Sequence, residues 1–528
     1  MSKKLKKINI LAINYLGHDT SAAILTNGKI IAACEQERYT LDKHSRSFPL
    51  DAINDCLKIA KLKVNNLKEI AFCDDVNFYL KDAIIKPALK NLNKVKFIIR
   101  DINKIEKYFN VENQIREKLK FKGKICFYPH HLCHLSSTFY PSGIKKSLIF
   151  SFDGIGDNVS SNFGIGNKGK IKIIHKGSKF PDSLGLFYSG ITDYLGWKHH
   201  CDEGIIMALA AYGNPFSKVP GKRETYYGIF KKIMINKKDF DIEINRNYIS
   251  YHLERDTWVS KKFINIFGPK RIEGEKIQRK HYNIAATLQL RLEKIIKSKI
   301  LRAKKKYNIS NLCLSGGVAL NCSLNGKLEN EKKFKNIFIQ PASGDNGTVI
   351  GGCYLAYKKY VKNFVGSKDW NNYKGSSFSN KEIKNILKKN NLKYLETKNI
   401  FEYTAKKLKL NKVVAWFQGS AEFGPRALGN RSILAKPYPE TMKDYINKKV
   451  KFRENFRPLA PAVLSEKTYK YFKIKQPSPH MLIASQSNML AKKEIPAVIH
   501  IDGTARVQMV FKNINPRFWK LLKSFESI

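Results

Sequence analysis

At 528 residues the chain is long enough for two or more domains with cores of their own. A hydrophobic content of 43% with 12% aromatics excludes an intrinsically disordered chain. The formal charge of +52, from 96 Lys+Arg against 44 Asp+Glu, would suit nucleic acid or an anionic surface, but the excess is mostly lysine scattered through every segment beside many Asn and Ile, as A/T-rich codons produce.

The basic start, Met1 to Lys7, leads into Ile8 to Ile13, a strand-like run without the apolar core or cleavage site of a signal peptide. No apolar stretch approaches the ~18–20 residues that span a bilayer. Nine cysteines stand singly, with no CxxC pair, and read as reduced core residues. A cytoplasmic protein with no membrane partner is expected.

The first run opens into Asn14-x-x-Gly17-His18-Asp19, followed by apolar Ala22 to Leu25, a turn at Asn27-Gly28-Lys29 and apolar Ile30 to Ala33. Leu50 to Ile59 and Ile102 to Leu119 have helical spacing. Next comes His130-His131-Leu132-Cys133-His134, whose outer histidines, four apart, share a face of any helix that carries them. The spacing by itself also fits a satisfied surface pair. Ser147 to Phe152 then reads as a buried strand opening into Asp153-x-x-Gly156-Asp157-Asn158, with further strands at Asn162 to Ile165 and Ile171 to Ile174 around a turn at Lys168-Gly169-Lys170. Imidazoles beside a carboxylate suit iron, zinc or manganese.

Strand, polar glycine turn, strand, tight hairpin, strand thus occurs twice, a pattern similar to the actin-like superfamily, in which the first turn of each copy grips nucleotide phosphates. Glycine lets backbone N–H groups approach an anion. Gly154 and Gly156 are candidates for that role.

Asp202 to Gly213 reads as a helix entered from an acidic cap and stopped by glycine. Residues 217 to 280 read as a Lys- and Asn-rich insertion with little chemistry, and Ala285 to Ala303 as an amphipathic helix. Asn311 to Leu314 opens into Ser315-Gly316-Gly317 and Asn321, and Ile337 to Ile339 opens into Gly344-Asp345-Asn346. Both are strand-to-helix turns that place amides where an anion binds, and Asp345 can reach a metal or nucleotide.

The polar, turn-rich stretch 361–380 reads as a linker between domains 1–360 and 381–528. The second domain holds two motifs, Ala415 to Ile433 with Arg426, and Lys451 to Pro461 with Lys451 and Arg457; Arg506 follows in a later turn. Arginines set among Gly, Pro and aromatic residues suit bidentate phosphate or carboxylate binding.

Asn14-x-x-Gly-His-Asp19, Glu35-Gln-Glu-Arg38 with Phe48-Pro49, His130-His-x-x-His134, Asp153-Gly, Asp202-Glu-Gly204, Leu314 to Asn321, Ser343-Gly-Asp-Asn-Gly347, Gly424-Pro-Arg-Ala-Leu-Gly429 and Phe456-Arg-Pro together resemble the O-carbamoyltransferases of nodulation-factor and antibiotic biosynthesis over nearly the whole chain. The resemblance implies an α/β architecture: an actin-like (duplicated ribonuclease-H-like), TsaD-like transfer domain followed by a YrdC-like domain. It implies that carbamoyl phosphate and ATP form carbamoyl adenylate in the second domain, with Mg(2+) accompanying ATP. The carbamoyl group then passes to a hydroxyl of a small, sugar-containing acceptor beside Fe(2+) or another divalent metal. His130, His134, Asp153 and Asp345 would be the metal ligands. Gly154, Gly156, Ser315, Gly316, Gly317, Asn321, Gly344 and Asn346 would line the nucleotide. Lys451, Arg457 and Arg506, with Arg426 nearby, would hold phosphate or the carbamoyl group, and His18, beside Asp19, would be the general base, a neutral imidazole at physiological pH.

Two departures bear on this. The family usually has Glu-Gly-Lys-x-Met-Gly-Leu-Ala where this chain has Ile205 and Ala208. The sequence also stops at Ile528, before the Asn-Thr-Ser-Phe-Asn segment with which relatives close the second site, so the resemblance implies a YrdC-like domain truncated at its C-terminus. Alternatives are a tRNA threonylcarbamoyl transferase or other RNA-binding protein, and a truncated, impaired carbamoyltransferase. Nucleic acid is the less expected partner despite the charge; a homodimer is allowed.

Overall fold

The computed structural model describes residues 7–76, 99, 102–254, 256–368 and 370–528. The chain divides into two compact units, Met1–Leu324 with Glu331–Trp370, and Asn325–Asn330 with Asn371–Ile528.

The first unit is built on a duplication. Its first sheet contains β1 (Asn9–Asn14), β2 (Ser21–Thr26), β3 (Lys29–Glu35), β4 (Glu69–Phe72) and β5 (Lys124–Phe127), in the order β3-β2-β1-β4-β5. The helices α1 (Leu50–Ala60), α2 (Ile102–Phe109) and α3 (Val111–Leu119) belong to this half, and α4 (His130–Ser142) follows β5. In the second half come β6 (Lys146–Gly156), β7 (Val159–Asn167), β8 (Lys170–Lys176), α5 (Leu184–Tyr194), α6 (Glu203–Leu209), α7 (Arg279–Tyr307), β9 (Asn311–Ser315), β10 (Asn336–Ile339) and α8 (Thr348–Tyr360). The second sheet is ordered β8-β7-β6-β9-β10. In both sheets the first three strands pair antiparallel and the last two join the first strand in parallel. Identical order and direction in both sheets establish the duplicated, actin-like fold from the strand pairing itself.

Every residue of β1 is buried, as a central strand covered on both faces requires. Leu11, Ile13, Ile24 and Phe72 pack with Ile53 of α1 and Ile115 of α3. In the second sheet the rings of Phe150 and Phe163 stack at 4.4 Å. α4 and α8 occupy equivalent places after the last strand of each half and cross in close contact. A Cβ on Gly351 of α8 would stand 1.8 Å from the carbonyl oxygen of Cys133 in α4.

Several elements differ from the sequence reading. The helix expected over Ile102–Leu119 is two helices that meet at Asn110. α7 extends beyond the expected Ala285–Ala303: a capping box of Gln278 and His281 starts it earlier, and it runs on until Asn308 ends it in a left-handed conformation. The 217–280 stretch has aromatic packing of its own, among Tyr226, Phe230, Phe263 and Phe267. The 361–380 stretch is tied down at both ends: Phe364 stacks on Tyr354, and Asn372 exchanges hydrogen bonds with Phe423.

The second unit is also α/β. Val414–Phe417 pairs antiparallel with Arg431–Leu434, Ala462–Leu464 parallel with Gln508–Val510, and Ala484–Gln486 antiparallel with Thr504–Arg506. Ala405, Trp416, Val510, Phe518 and Leu521 form a core beneath the helix Pro516–Glu526.

The α4–α8 crossing tolerates no side chain at Gly351. Gly351→Ala is expected to cost about 1–3 kcal/mol of stability by overpacking. Gly204 in α6, with nothing within 4 Å of a built Cβ, should accept alanine without loss. Denaturant midpoints of the two variants check the pair.

Candidate functional site

The two duplicated helix starts converge on one cluster. α4 brings His130 and His134 one turn apart, the C-terminal part of β6 brings Asp153, and the turn before α8 brings Asp345. The Nε2 atoms of His130 and His134 are 3.0 Å apart. Asp153 Oδ2 lies 3.2 and 3.4 Å from them, and Asp345 Oδ1 lies 3.5 and 3.6 Å. One donor atom from each of the four residues lies within 4.8 Å of the others.

These spacings fit a shared cation. Donors about 2.1 Å from an ion are separated by about 3.0 Å in cis positions of an octahedron and about 3.4 Å along a tetrahedral edge. Two imidazoles and two carboxylates suit Fe(2+), Zn(2+) or Mn(2+) equally, so the donor set does not choose among them. The histidines and carboxylates of the cluster hold one another charged. Burial disfavours charge on His130, but Asp345 and Asp153 outweigh it and raise the imidazole to about 10. His134 is raised in the same way by Asp153 and Asp345. Asp153 is held well below the carboxylate range, its burial outweighed by hydrogen bonds with both histidines.

His131, between the two, does something else. Its Nδ1 is 2.8 Å from Ser151 Oγ and its Nε2 is 2.9 Å from the carbonyl of Val159. Burial and the neighbouring histidines lower it to about 3, so it is a neutral, satisfied core histidine.

Two of the glycines expected around nucleotide, Gly156 and Gly317, touch this cluster. A Cβ on Gly156 would lie 2.1 Å from the His130 ring, so that glycine makes room for the imidazole. Gly316 passes over β6 with φ +82, and its Cβ would meet the Phe152 carbonyl at 2.2 Å. The N–H of Gly317 donates to Asp153 Oδ1 at 2.8 Å, so this amide already holds a carboxylate. Asn321 exchanges hydrogen bonds with Gln289 and accepts from the N–H of Leu324 at the start of the next helix. Asn346 donates to Glu35 and accepts from Ser21, tying the turn to β2 and β3. Gly154, whose carbonyl accepts from Ser183, Ser315, at the end of β9, and Gly344 lie in the same three turns. Ile205 and Ala208, where the family has lysine and glycine, are both buried in α6 and contribute packing.

His18 and Asp19 stand at the mouth of the cluster, where a Cβ on Gly17 would lie 3.7 Å from Asp345 Oδ2. His18 Nδ1 is 2.7 Å from Asp19 Oδ2. Burial lowers the imidazole, but Asp19 and the charges of Asp345 and Asp153 override it and raise it to about 9. These neighbours favour the protonated imidazole, whereas a neutral His18 was expected. Two of the charges responsible belong to carboxylates that an ion would neutralise. The insertion also reaches this region: Trp258 packs on His199 and His200, and His200 stacks on His18 at 5.6 Å.

In the second unit, Lys451, Arg453, Arg457 and Arg506 are brought together. Burial, then Arg457 and Arg506, lower Arg453 to about 10. Desolvation, then Arg453 and Arg457, lower Lys451. Arg506 Nε is buried without a hydrogen-bond partner, and Arg457 faces Glu454 at 3.4 Å. Buried Asn447, in the π-turn Ile446–Val450, holds the loop: it accepts from Arg453 Nε and donates to the carbonyls of Asn455 and Arg457. Arg426 lies in the loop that Glu422 fixes by accepting from the N–H groups of Leu428, Asn430 and Arg431. Arg453 and Asn447 were not among the expected site residues. Arg453 stood inside the quoted motif, whereas an asparagine among lysines carries no signal.

The fold and cluster define a duplicated α/β protein in which four side chains of the two halves lie close enough to share a metal ion, joined to a second unit with clustered arginines. Family profiles described as carbamoyltransferase N-terminus and carbamoyltransferase C-terminus match residues 9–354 and 405–528. The chain belongs to the carbamoyltransferase family. It is 31% identical to the nodulation protein NolNO of Sinorhizobium fredii over 530 residues, covering 97% of this chain and 72% of that protein. It is 34% identical to an uncharacterized protein of Synechocystis sp. over 561 residues, covering 98% and 89%. Among solved structures, component A of (R)-2-hydroxyglutaryl-CoA dehydratase from Acidaminococcus fermentans aligns with a TM-score of 0.34 at 13% identity, over 67% of this chain and 99% of that one. Among the described residues no helix is long and apolar enough to cross a membrane.

Metal binding must displace protons from the two raised histidines, so affinity should fall as pH falls, by up to about tenfold per unit for each proton released. Calorimetric titration of Fe(2+) or Mn(2+) in buffers of different ionisation enthalpy measures that release. Asp153→Asn should weaken binding at least about 100-fold, since it removes a ligand charge and puts an amide NH2 where Oδ2 faces the histidines, while Oδ1 can still accept from Gly317 N–H.

Proposed function

We propose that the protein is an O-carbamoyltransferase that uses carbamoyl phosphate and ATP to modify a hydroxyl of a small, sugar-containing acceptor. Membership of the carbamoyltransferase family supports the group transferred. The observation that carries the transfer site is the set of four donors spaced for one cation, with His18 at its mouth.

Activation is assigned to the second unit. Water cleaves carbamoyl phosphate to carbamate and phosphate, and a carbamate oxygen then bonds to the α-phosphorus of ATP, displacing pyrophosphate and forming carbamoyl adenylate. Lys451, Arg453, Arg457 and Arg506 crowd cations into one place, an arrangement that an anionic substrate relieves. Mg(2+) would accompany the ATP.

Transfer is assigned to the first unit. A divalent cation held by His130, His134, Asp153 and Asp345 would stabilise negative charge on the carbamoyl oxygen. Asp19, held ionised by His18 and His44, accepts from His18 Nδ1 and so presents Nε2 to the acceptor. The acceptor oxygen bonds to the carbamoyl carbon, its proton goes to His18 Nε2, and AMP leaves with the electron pair of the broken carbon–oxygen bond. Neutralising Asp153 and Asp345 removes two of the charges that keep His18 protonated. A cation there would lower the imidazole from its raised value, while the hydrogen bond to Asp19 would continue to raise it.

Purified protein should release pyrophosphate from ATP only when carbamoyl phosphate is present. Arg457→Ala should lower that rate about 10- to 100-fold, the worth of one charge-assisted contact. No release from the unaltered chain with any hydroxylated acceptor would overturn the reading. Tight tRNA binding that survives physiological salt would instead favour the RNA alternative.

A further inference from the structure

In the scheme above His44 only helps to keep Asp19 ionised, yet its geometry ties it more closely to the site. Its Nδ1 lies 2.6 Å from Asp19 Oδ1, while His18 Nδ1 lies 2.7 Å from Asp19 Oδ2. One carboxylate is thus gripped by two imidazoles, one on each oxygen. Since Asp19 is ionised, both Nδ1 atoms are donors. A carboxylate bonded through one oxygen swings about its own axis and takes its histidine with it; one bonded through both cannot.

The backbone around this grip is locally unfavourable. Asp19 and His44 both have left-handed backbones, with φ +61 and +59, although neither is glycine. Such conformations persist where the surroundings over-determine them, and they gather at functional sites. Here the surroundings are specific: the N–H of His44 donates to Glu37 Oε2 at 2.9 Å, and the N–H of Thr20 donates to the carbonyl of Ser45 at 3.2 Å. The first bond fixes the loop after β3 on itself, and the second staples it to the turn after β1. Asp19, Glu37 and His44 are also close enough to share a cation. Both Asp19 oxygens are already taken by imidazole N–H groups, however, and hydrogen bonding accounts for the geometry without an ion.

We infer that His44 is a positioning residue, which fixes Asp19 and through it sets the tautomer and direction of His18 at the mouth of the metal cluster. The inference rests on the carbamoyl-transfer reading, with His18 as the base. His44 itself touches neither acceptor nor carbamoyl group in this scheme.

The test compares His44→Ala with His44→Asn in the full-length chain. The side-chain amide nitrogen of asparagine reaches the place of a histidine Nδ1, so it restores the donor while removing the ring. In ring-15N-labelled protein, with His18 assigned by its loss in His18→Gln, the unaltered chain should show an exchange-protected Nδ1 proton on His18. His44→Ala should lose it to solvent exchange, and His44→Asn should keep it. In the transfer assay, His44→Ala should lower kcat about 10- to 100-fold with KM for ATP and carbamoyl phosphate unchanged, and His44→Asn should recover most of the loss. An unchanged His18 proton in His44→Ala, or an asparagine variant as impaired as the alanine variant, would overturn the inference. If the unaltered chain transfers no carbamoyl group, the functional reading fails, while the ring-proton comparison still decides whether His44 holds His18.

Discussion

Two imidazole nitrogens held 3.0 Å apart between a buried carboxylate, Asp153, and a half-buried one, Asp345, form the arrangement on which the first unit depends. Each charge there would cost several kcal/mol to bury alone. Together they are tolerable because opposite charges are interleaved, and a cation would complete the set. Much of what surrounds the cluster follows from that requirement. Gly317 gives its N–H to Asp153, Gly156 gives its side-chain space to His130, and Gly316 lets the turn lie on β6.

The duplication explains how four distant residues arrive together. Each half ends in a helix that follows its last strand, and the two helices cross at Gly351 with no room for a β-carbon. That close passage brings the first turn of α4 next to the turn that starts α8. Asp345 then lies at the N-terminus of a helix, where the backbone dipoles favour a carboxylate. One symmetric packing contact thereby builds a site that neither half contains.

The chemistry is divided by charge. The first unit gathers carboxylates and imidazoles, which favour a cation and set proton affinities. The second gathers three arginines and a lysine around one asparagine-held loop, which favours phosphate. Scattered surface lysine makes up most of the net charge and has no such organisation. A +52 chain can therefore be read as a small-anion enzyme, because placement, rather than sum, gives a cation its specificity.

By itself the sequence carried the repeat of strand, glycine turn and hairpin, the HxxxH pair, the acidic turn at Asp153 and the arginine motifs. All of these are local patterns: two-residue and 3.6-residue periodicities and turn residues are set by neighbours along the chain. It did not carry the fate of the glycines, because whether a missing side chain leaves room for a phosphate or for His130 depends on what packs opposite. Nor did it carry the protonation of His18, which is raised partly by Asp345, a residue more than three hundred positions away. His44 and Asn447 were equally silent: a histidine in a loop and an asparagine among lysines gain meaning only when Asp19 and the Arg453 loop come within hydrogen-bond distance. Tertiary structure decided these points because electrostatics and close packing depend on distance in space, whereas sequence patterns report distance along the chain.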